Sequence, residues 1–178
     1  SAPSAIESPA PALAPTKPFD EDSLYQILVA DVALTRGQFQ TALKNYLIQA
    51  RQTRDPGIIQ LTHSIAAHQE DARAILESAQ LWIEVEPNEA TAHRAALQAF
   101  ALHKRPFEAL EQASWLYRND NDLEAFLAVT AIDEGNKQAL IPRLMGAYRA
   151  LPLEPEKQAT AELAVAILFR ELGELDSA

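Results

Sequence analysis

Four histidines are the residues of this chain best suited to bind a transition metal. His63 and His68 are five residues apart, which places them on different faces of a helix, whereas a two-histidine helical site needs a spacing of four. His93 and His103 are ten residues apart, and no carboxylate cluster joins them. We therefore expect no metal site and interpret the histidines as surface or groove residues.

Carboxylate and hydroxyl side chains do not form a catalytic pattern either. Asp20, Glu21 and Asp22 make a short acidic run, and the simplest role of such a run is to cap a helix and favour its dipole. No serine lies in the pattern of a nucleophile elbow. The five glycines include no Gly-x-Gly pair that could cradle a phosphate. The sequence therefore predicts a chain that is not an enzyme and holds no cofactor.

The composition of the 178 residues excludes further classes of protein. The formal net charge is -10 at pH 7, which disfavours nucleic acid and anionic membranes because both attract Lys and Arg. There is no cysteine, which excludes a disulfide scaffold and a thiolate site. No apolar run approaches the roughly 18 residues that a membrane span requires. With 48% hydrophobic residues and five glycines, the composition is typical of a helical globular domain.

The beginning of the chain has a different composition. Prolines alternate there with Ala and Ser, so residues 1–18 cannot propagate a helix and are predicted to be a disordered linker. Residues 19–178 are predicted to form the helical domain, as the N-terminal part of a longer array. The linker is either a frayed end or a tether to an anchor. Because the chain begins at Ser1, any targeting segment or lipid-bearing cysteine is expected upstream.

From Phe19 onward, apolar residues recur at helical spacing in pairs of helices. In the first pair, the first apolar helix ends before Gly37 and the second ends at Asp55-Pro56. The second ends there because a residue that precedes proline disfavours α-helical backbone angles. One pair of helices cannot bury its apolar face alone, so successive pairs are expected to stack.

The pair Ala42-Leu43 recurs as Ala74-Ile75 and Ala109-Leu110, at steps of 32 and 35 residues. A period of about 34 residues with two helices per unit is the signature of the tetratricopeptide repeat. The predicted fold is therefore all-α, a tetratricopeptide-type helix-pair solenoid coiled as a right-handed superhelix. It should contain about four to five repeats, the last one incomplete.

The later repeats are expected to be less regular. A fourth pair is predicted over residues 123–132 and 136–150, with a turn at Gly135 and with Pro142 kinking the second helix or shifting its start. The first helix of a fifth pair is predicted from about Glu156 to Leu172, with Gly173 ending it. The unpaired apolar face of this helix could then support self-association.

The first helices of such repeats line a concave surface, which is the expected place for a protein partner. Trp82 and Trp115 belong to second helices, so we interpret them as packing residues between repeats. The alternative to a binding groove is a solvated helix face. Counting from the turn residues gives six candidate partner-binding residues: Asp31, Thr35, His63, Arg94, Gln98 and Arg170.

The first repeats also carry a resemblance to a known family. The stretches Arg36-Gly37-Gln38-Phe39, Thr53-Arg54-Asp55-Pro56 and Glu86-Pro87-Asn88 resemble the N-terminal part of tetratricopeptide-repeat lipoproteins of Gram-negative bacteria. In pseudomonads, members of this group are adaptors of a periplasmic carboxyl-terminal processing protease. The resemblance covers roughly residues 19–107 and is carried best by the Thr-Arg-Asp-Pro stretch.

This resemblance implies a non-catalytic adaptor in the periplasm, tethered to the outer membrane by an upstream lipid anchor. Such an adaptor would bind and activate the protease and deliver substrates such as peptidoglycan hydrolases. The alternative is a structural scaffold lipoprotein for outer-membrane or pilus assembly. The sequence does not separate the two, because both use concave helical surfaces.

Overall fold

A computed structural model describes residues 18–130, 132, 137–152 and 154–176 of the protein. Within these ranges every regular element is an α-helix, which confirms the predicted all-α, tetratricopeptide-type arrangement of helices. The predicted linker before Pro18 and the predicted turn at Gly135 lie outside the described residues. None of the described helices is both long enough and apolar enough to cross a bilayer.

Nine helices follow one another along the described ranges. Their bounds are α1 Glu21–Thr35, α2 Phe39–Thr53, α3 Pro56–His68, α4 Ala72–Val85, α5 Ala90–Leu102, α6 Pro106–Asp120, α7 Glu124–Thr130, α8 Lys137–Arg149 and α9 Pro155–Asp176.

Carboxylate side chains begin several of these helices. Asp20 accepts a hydrogen bond of 2.7 Å from the backbone N–H of Ser23, and thereby satisfies one free donor at the start of α1. Asp55 and Asp71 cap α3 and α4 in the same way, at 3.1 and 3.0 Å. The acidic run at residues 20–22 is therefore explained by helix capping, as predicted.

The turns inside the helix pairs repeat in the backbone. Gly37, Glu70 and Lys104 follow the first helices of successive pairs, and all three have a positive φ, of 71°, 52° and 53°. Arg54 and Asn121 are left-handed C-caps of α2 and α6, with φ of 50° and 53°. Because a left-handed residue ends a helix, these five positions set the register of the repeats.

The chain divides into two compact units, of which the first comprises residues 1–70 and contains α1 to α3. Helix α2 packs against both α1 and α3. The fully buried side chains of Ala42 and Tyr46 lie on α2, and Ile59 contributes from α3. A small residue at Ala42 allows close approach of the helices, as the sequence predicts.

The second unit comprises residues 71–178 and contains α4 to α9. Helix α5 packs against α4, α6 and α7, while α8 packs against α6 and α9. Phe126 of α7 lies between two buried tyrosines, with ring centroids 6.2 Å from Tyr117 and 5.2 Å from Tyr148. Such aromatic contacts join α6, α7 and α8 into one core.

The last two helices differ from the expectation in their details. Helix α8 begins at Lys137 and contains Pro142. The helix therefore starts before the proline and is not shifted to begin after it. The turn expected at Gly173 is wrong, because α9 continues through this residue to Asp176. Gly173 does not adopt a positive φ. A glycine inside a helix costs only about 1 kcal/mol relative to Ala, so it does not by itself end the helix.

Candidate partner-binding surface

The left-handed turn residues place three first helices in a common register. Counting back six residues from Gly37, Glu70 and Lys104 gives Asp31, Ser64 and Gln98, and counting back two gives Thr35, His68 and Leu102. All six side chains are exposed. We call these residues the first-helix stripe, a name for their common register and not for one continuous surface: Asp31 and Thr35 on α1 and Ser64 and His68 on α3 in the first unit, Gln98 and Leu102 on α5 in the second.

On α1, the two predicted candidates are one helical turn apart and share a face. The carboxylate of Asp31 accepts a hydrogen bond from the hydroxyl of the buried Tyr46 on α2. The hydroxyl of Thr35 donates to the carbonyl of Val32 at 2.9 Å. Asp31 is therefore held in place by the core beneath it, and its charge remains at the surface.

On α3, the register selects Ser64 rather than the predicted His63. Ser64 is exposed and its hydroxyl donates to the carbonyl of Gln60 at 3.0 Å. His63 is half-buried and one residue out of register, because the turn residue of this pair is Glu70. His68 continues the stripe, and its ring meets the edge of Phe39 at a centroid distance of 5.8 Å.

On α5, Gln98 is exposed and Leu102 follows it one turn later, also exposed. The predicted Arg94 lies on the same face, four residues before Gln98. Its guanidinium donates to the carboxylate of Asp120, and its Nε donates to Asp122 at 3.2 Å. Arg94 thus joins α5 to the end of α6 and is already paired.

The ion pairs of Arg94 shift the pKa of its guanidinium group. The hydrogen bond to Asp120 raises the pKa of the guanidinium above its usual value, partial burial opposes this rise, and Asp122 adds to it. The side chain of Arg94 is 43% exposed, so these pairs are screened by solvent. Their main consequence is geometric, because they hold a basic group beside two acidic ones at the end of α6.

The sixth candidate lies apart from the others in sequence. Arg170 is exposed on α9, a helix that packs against α8. The structure describes no residue beyond Asp176, the last residue of α9, so Arg170 has no defined place in the register of the first-helix stripe. Its assignment to a binding surface stays a prediction.

A buried cluster around His93 was not predicted. The imidazole Nε2 donates to the carbonyl of Pro87 at 2.8 Å, and Nδ1 lies 2.7 Å from the side-chain amide of Gln112. Trp115 stacks on the ring with centroids 3.7 Å apart. Trp115 is half-buried and packs inside its own helix pair, whereas Trp82 is buried. The spacing of 19 residues between His93 and Gln112 gives no signal in the sequence.

The acidic side chains and histidines of the described residues form no candidate metal site. No group of three or more His, Asp or Glu among them lies close enough together to hold a metal ion. A cavity of about 510 Å³ at one end of the first unit is lined by Asp20, Asp22 and Asp55 among others. Two of these carboxylates are the caps of α1 and α3, so a structural role accounts for them.

The chain is similar to a protein that contains tetratricopeptide repeats. It is 35% identical over 116 residues to the TPR repeat-containing protein PA4667 of Pseudomonas aeruginosa, an alignment that covers 65% of this chain and 20% of that protein. The chain therefore spans about a fifth of the length of this relative. No family model matches the chain. The similarity and the paired helices together support a protein of tetratricopeptide-repeat type.

Proposed function

We propose that this chain is part of a non-catalytic scaffold that binds other proteins through the first-helix stripe. One observation carries this proposal: three first helices expose side chains at the same two register positions. Within each unit, an exposed face on packed helices suits the recognition of a partner segment. The similarity to a TPR repeat-containing protein supports the same function.

The specific function that we propose is that of an adaptor lipoprotein. It would bind and activate a periplasmic carboxyl-terminal processing protease and deliver substrates such as peptidoglycan hydrolases. It would act in the periplasm, tethered to the outer membrane through an upstream lipid anchor. The resemblance of the first repeats to such adaptors, and the similarity to a Pseudomonas protein, support this proposal.

An adaptor of this kind works by raising effective concentration. When protease and substrate occupy one scaffold, their encounter becomes nearly intramolecular, which raises apparent affinity by roughly 10²–10⁴ where the geometry permits. The net charge of -10 would also steer basic partner surfaces toward the scaffold. No catalytic group on the scaffold is needed for either effect.

The alternative function is that of a structural scaffold lipoprotein for outer-membrane or pilus assembly. The same exposed stripe would serve it, because a helical repeat surface does not reveal the identity of its partner. The two functions predict different results: an adaptor should capture a protease from a periplasmic extract and accelerate its cleavage of a substrate. An assembly scaffold should capture envelope-assembly proteins instead.

The test uses the chain immobilised through its N-terminal segment and a periplasmic extract of Pseudomonas. The wild-type chain is compared with a stripe variant carrying Gln98→Lys and Leu102→Lys, and with Glu111→Lys on α6 as a control that changes the net charge by the same amount. Glu111 is exposed and lies outside the stripe. Arg94 is left intact, because its ion pairs support the packing of α5 and α6.

We expect the wild type and the control to recover a carboxyl-terminal processing protease, and the stripe variant to recover at least ten-fold less. Adding the purified chain should then accelerate cleavage of a peptidoglycan hydrolase by that protease. Recovery of envelope-assembly proteins without a protease would favour the alternative. Equal recovery by all three chains would contradict the role of the stripe.

A further inference from the structure

Helix α1 presents an apolar face to solvent. We define its outer face as Tyr25, Leu28, Val29 and Val32, which are between 36% and 64% exposed. These residues are spaced by three, one and three, so they form one strip along the helix. Leu24 is exposed beside them. An isolated exposed leucine is unremarkable, but a continuous strip of four large apolar residues on one helix marks a contact surface.

The equivalent residues of α5 are buried, in contrast to those of α1. Relative to the turn residues Gly37 and Lys104, the outer face of α1 corresponds residue by residue to four alanines of α5. These alanines are at most 7% exposed: Ala92, Ala95, Ala96 and Ala99. The same register positions are therefore buried in one first helix and open in the other.

The difference follows from the neighbours of the two helices. Helix α5 is preceded in its unit by α4 and packs against it as well as against α6 and α7. Within residues 18–70, α1 packs extensively against α2 alone. The place that α4 takes beside α5 thus has no described occupant beside α1.

The charge and size of α1 restrict what can fill this place. Glu21, Asp22 and Asp31 are exposed on α1, and the helix contains no Lys, Arg or His. If a second copy of α1 packed on this face, the carboxylates of the two helices would repel each other. The large apolar side chains of both helices would also prevent the close approach that the alanines of α5 permit. A helix with small apolar residues at its centre and Lys or Arg at its borders complements both features.

We propose that the outer face of α1 docks an amphipathic helix of a partner protein, with small apolar residues on its contact face and basic residues at the borders. This partner would extend the stack of helices by one, since it takes the position that α4 takes beside α5. The docking face lies beside the first-helix stripe on α1 and consists of other side chains, although Asp31 of the stripe is part of its acidic border. Its test therefore does not depend on the protease.

The probe for this test is a synthetic 18-residue amphipathic peptide with Ala at the centre of its apolar face, Leu beside it and Lys at the borders. A matched peptide carries Glu in place of each Lys. Fluorescence anisotropy measures the binding of each peptide to the full chain. The chain variant Leu28→Lys with Val32→Lys is compared with Leu163→Lys with Ile167→Lys, which places the same charges on exposed apolar residues of α9.

We expect the lysine peptide to bind the wild type and the α9 variant equally, and the α1 variant at least ten-fold more weakly. The glutamate peptide should bind at least ten-fold more weakly than the lysine peptide. Circular dichroism checks that each variant is folded. If the lysine substitutions prevent folding, Leu28→Gln with Val32→Thr takes their place.

Several results would overturn the proposal. Equal binding of both peptides, or no loss in the α1 variant, would show that the face is not a docking site for a basic helix. A concentration-dependent dimer that the α1 variant abolishes would identify a second copy as the occupant. A chain carrying Ile6→Ser and Leu13→Ser has a less apolar N-terminal segment. If this variant binds the lysine peptide at least ten-fold more tightly than the wild type does, the N-terminal segment competes with the peptide and is itself the occupant.

Discussion

Tyr46 and Tyr148 are both buried, but their hydroxyl groups have different surroundings. The Tyr46 hydroxyl donates to the carboxylate of Asp31, and the Tyr148 hydroxyl is buried without a partner among the described residues. A buried polar group without a hydrogen bond costs about 1–3 kcal/mol, whereas a hydrogen bond that is made contributes about 1 kcal/mol. The same substitution should therefore act in opposite directions at the two positions.

We predict that Tyr46→Phe lowers the free energy of unfolding by about 1 kcal/mol, because Asp31 loses its donor. Tyr148→Phe should leave the free energy unchanged or raise it by up to about 1 kcal/mol, because an unpaired hydroxyl is removed from the core. Urea unfolding followed by circular dichroism measures both. A loss of stability in Tyr148→Phe as large as in Tyr46→Phe would contradict this account.

The same two tyrosines predict sensitivity to alkaline pH. Burial raises the pKa of both hydroxyls well above the usual value near 10, and the hydrogen bond and charge of Asp31 add to the effect at Tyr46. In the unfolded chain both ionise near pH 10, so the unfolded state loses its protons first. The stabilising contribution is complete below pH 10 and is lost as the pH rises above it.

We therefore expect the free energy of unfolding to fall as the pH rises above about 10, with a slope that approaches about 1.4 kcal/mol per pH unit for each buried tyrosine. The double variant Tyr46→Phe, Tyr148→Phe should show a shallower decline over the same range. Urea titrations at several pH values provide the measurement, and parallel declines in wild type and double variant would refute the assignment.

At the scale of a helix, the caps offer a direct comparison. Asp71 caps α4 with its side chain, whereas Gln38 occupies the corresponding place before α2 without a side-chain hydrogen bond. Asp71→Ala should lower the free energy of unfolding by about 1 kcal/mol, since the N–H of Ala74 loses its acceptor. Gln38→Asp should raise it by about 0.5–1 kcal/mol, since Asp also favours the helix dipole.

Thermal and urea unfolding of these two variants test the caps. Gln38→Asn is a useful control, because it supplies a capping oxygen without a charge. If Gln38→Asp stabilises and Gln38→Asn does not, the gain comes from the helix dipole alone. If neither stabilises, the start of α2 does not accept a cap in this backbone geometry.

Helices were predicted well from the sequence where local chemistry determines them. The residues that end helices, such as Gly37 and Asp55-Pro56, act through their own backbone preferences, so they were read from the sequence directly. The small residues Ala42 and Ala109 are fully buried as their spacing indicates. Gly173 was misread because glycine permits a turn but does not require one, and packing decides between the two.

For a related reason, the sequence predicted the exposure of only some candidate residues. Asp31, Thr35 and Gln98 are exposed, whereas His63 is half-buried and lies one residue from the position set by Glu70, a turn residue that is not a glycine. That these residues bind a partner stays a prediction. The pairing of Arg94 with Asp120 and Asp122 joins residues 26 and 28 positions apart. Contacts of this length depend on the tertiary arrangement and leave no periodic pattern.

For the molecule as a whole, local stability should follow the number of helices that each helix contacts. In repeat proteins stability is approximately a sum over neighbouring elements. Helix α5 packs against three other helices, whereas α9 packs against α8. We predict that backbone amides of α5 and α6 exchange with solvent at least ten-fold more slowly than those of the second half of α9.

Hydrogen exchange followed by mass spectrometry measures this order. The amides of α1 should exchange at intermediate rates, because α1 packs against α2 and leaves its outer face open. Binding of the lysine peptide proposed above should slow exchange in α1 first. Uniform exchange along all helices would instead indicate that the described part of the chain unfolds as one cooperative element.

The left-handed turn residues have a consequence for how such a sequence diverges. Glu70, Lys104 and Arg54 hold backbone conformations that glycine or asparagine adopts more readily, yet the turns persist with these side chains. The same turn conformation therefore recurs at 37, 70 and 104, although three different residue types occupy these positions. The repeat of the chain is visible in the spacing of its positive φ angles where residue identity does not show it. Repeats that residue-based comparison no longer detects can be recognised by the period of their backbone.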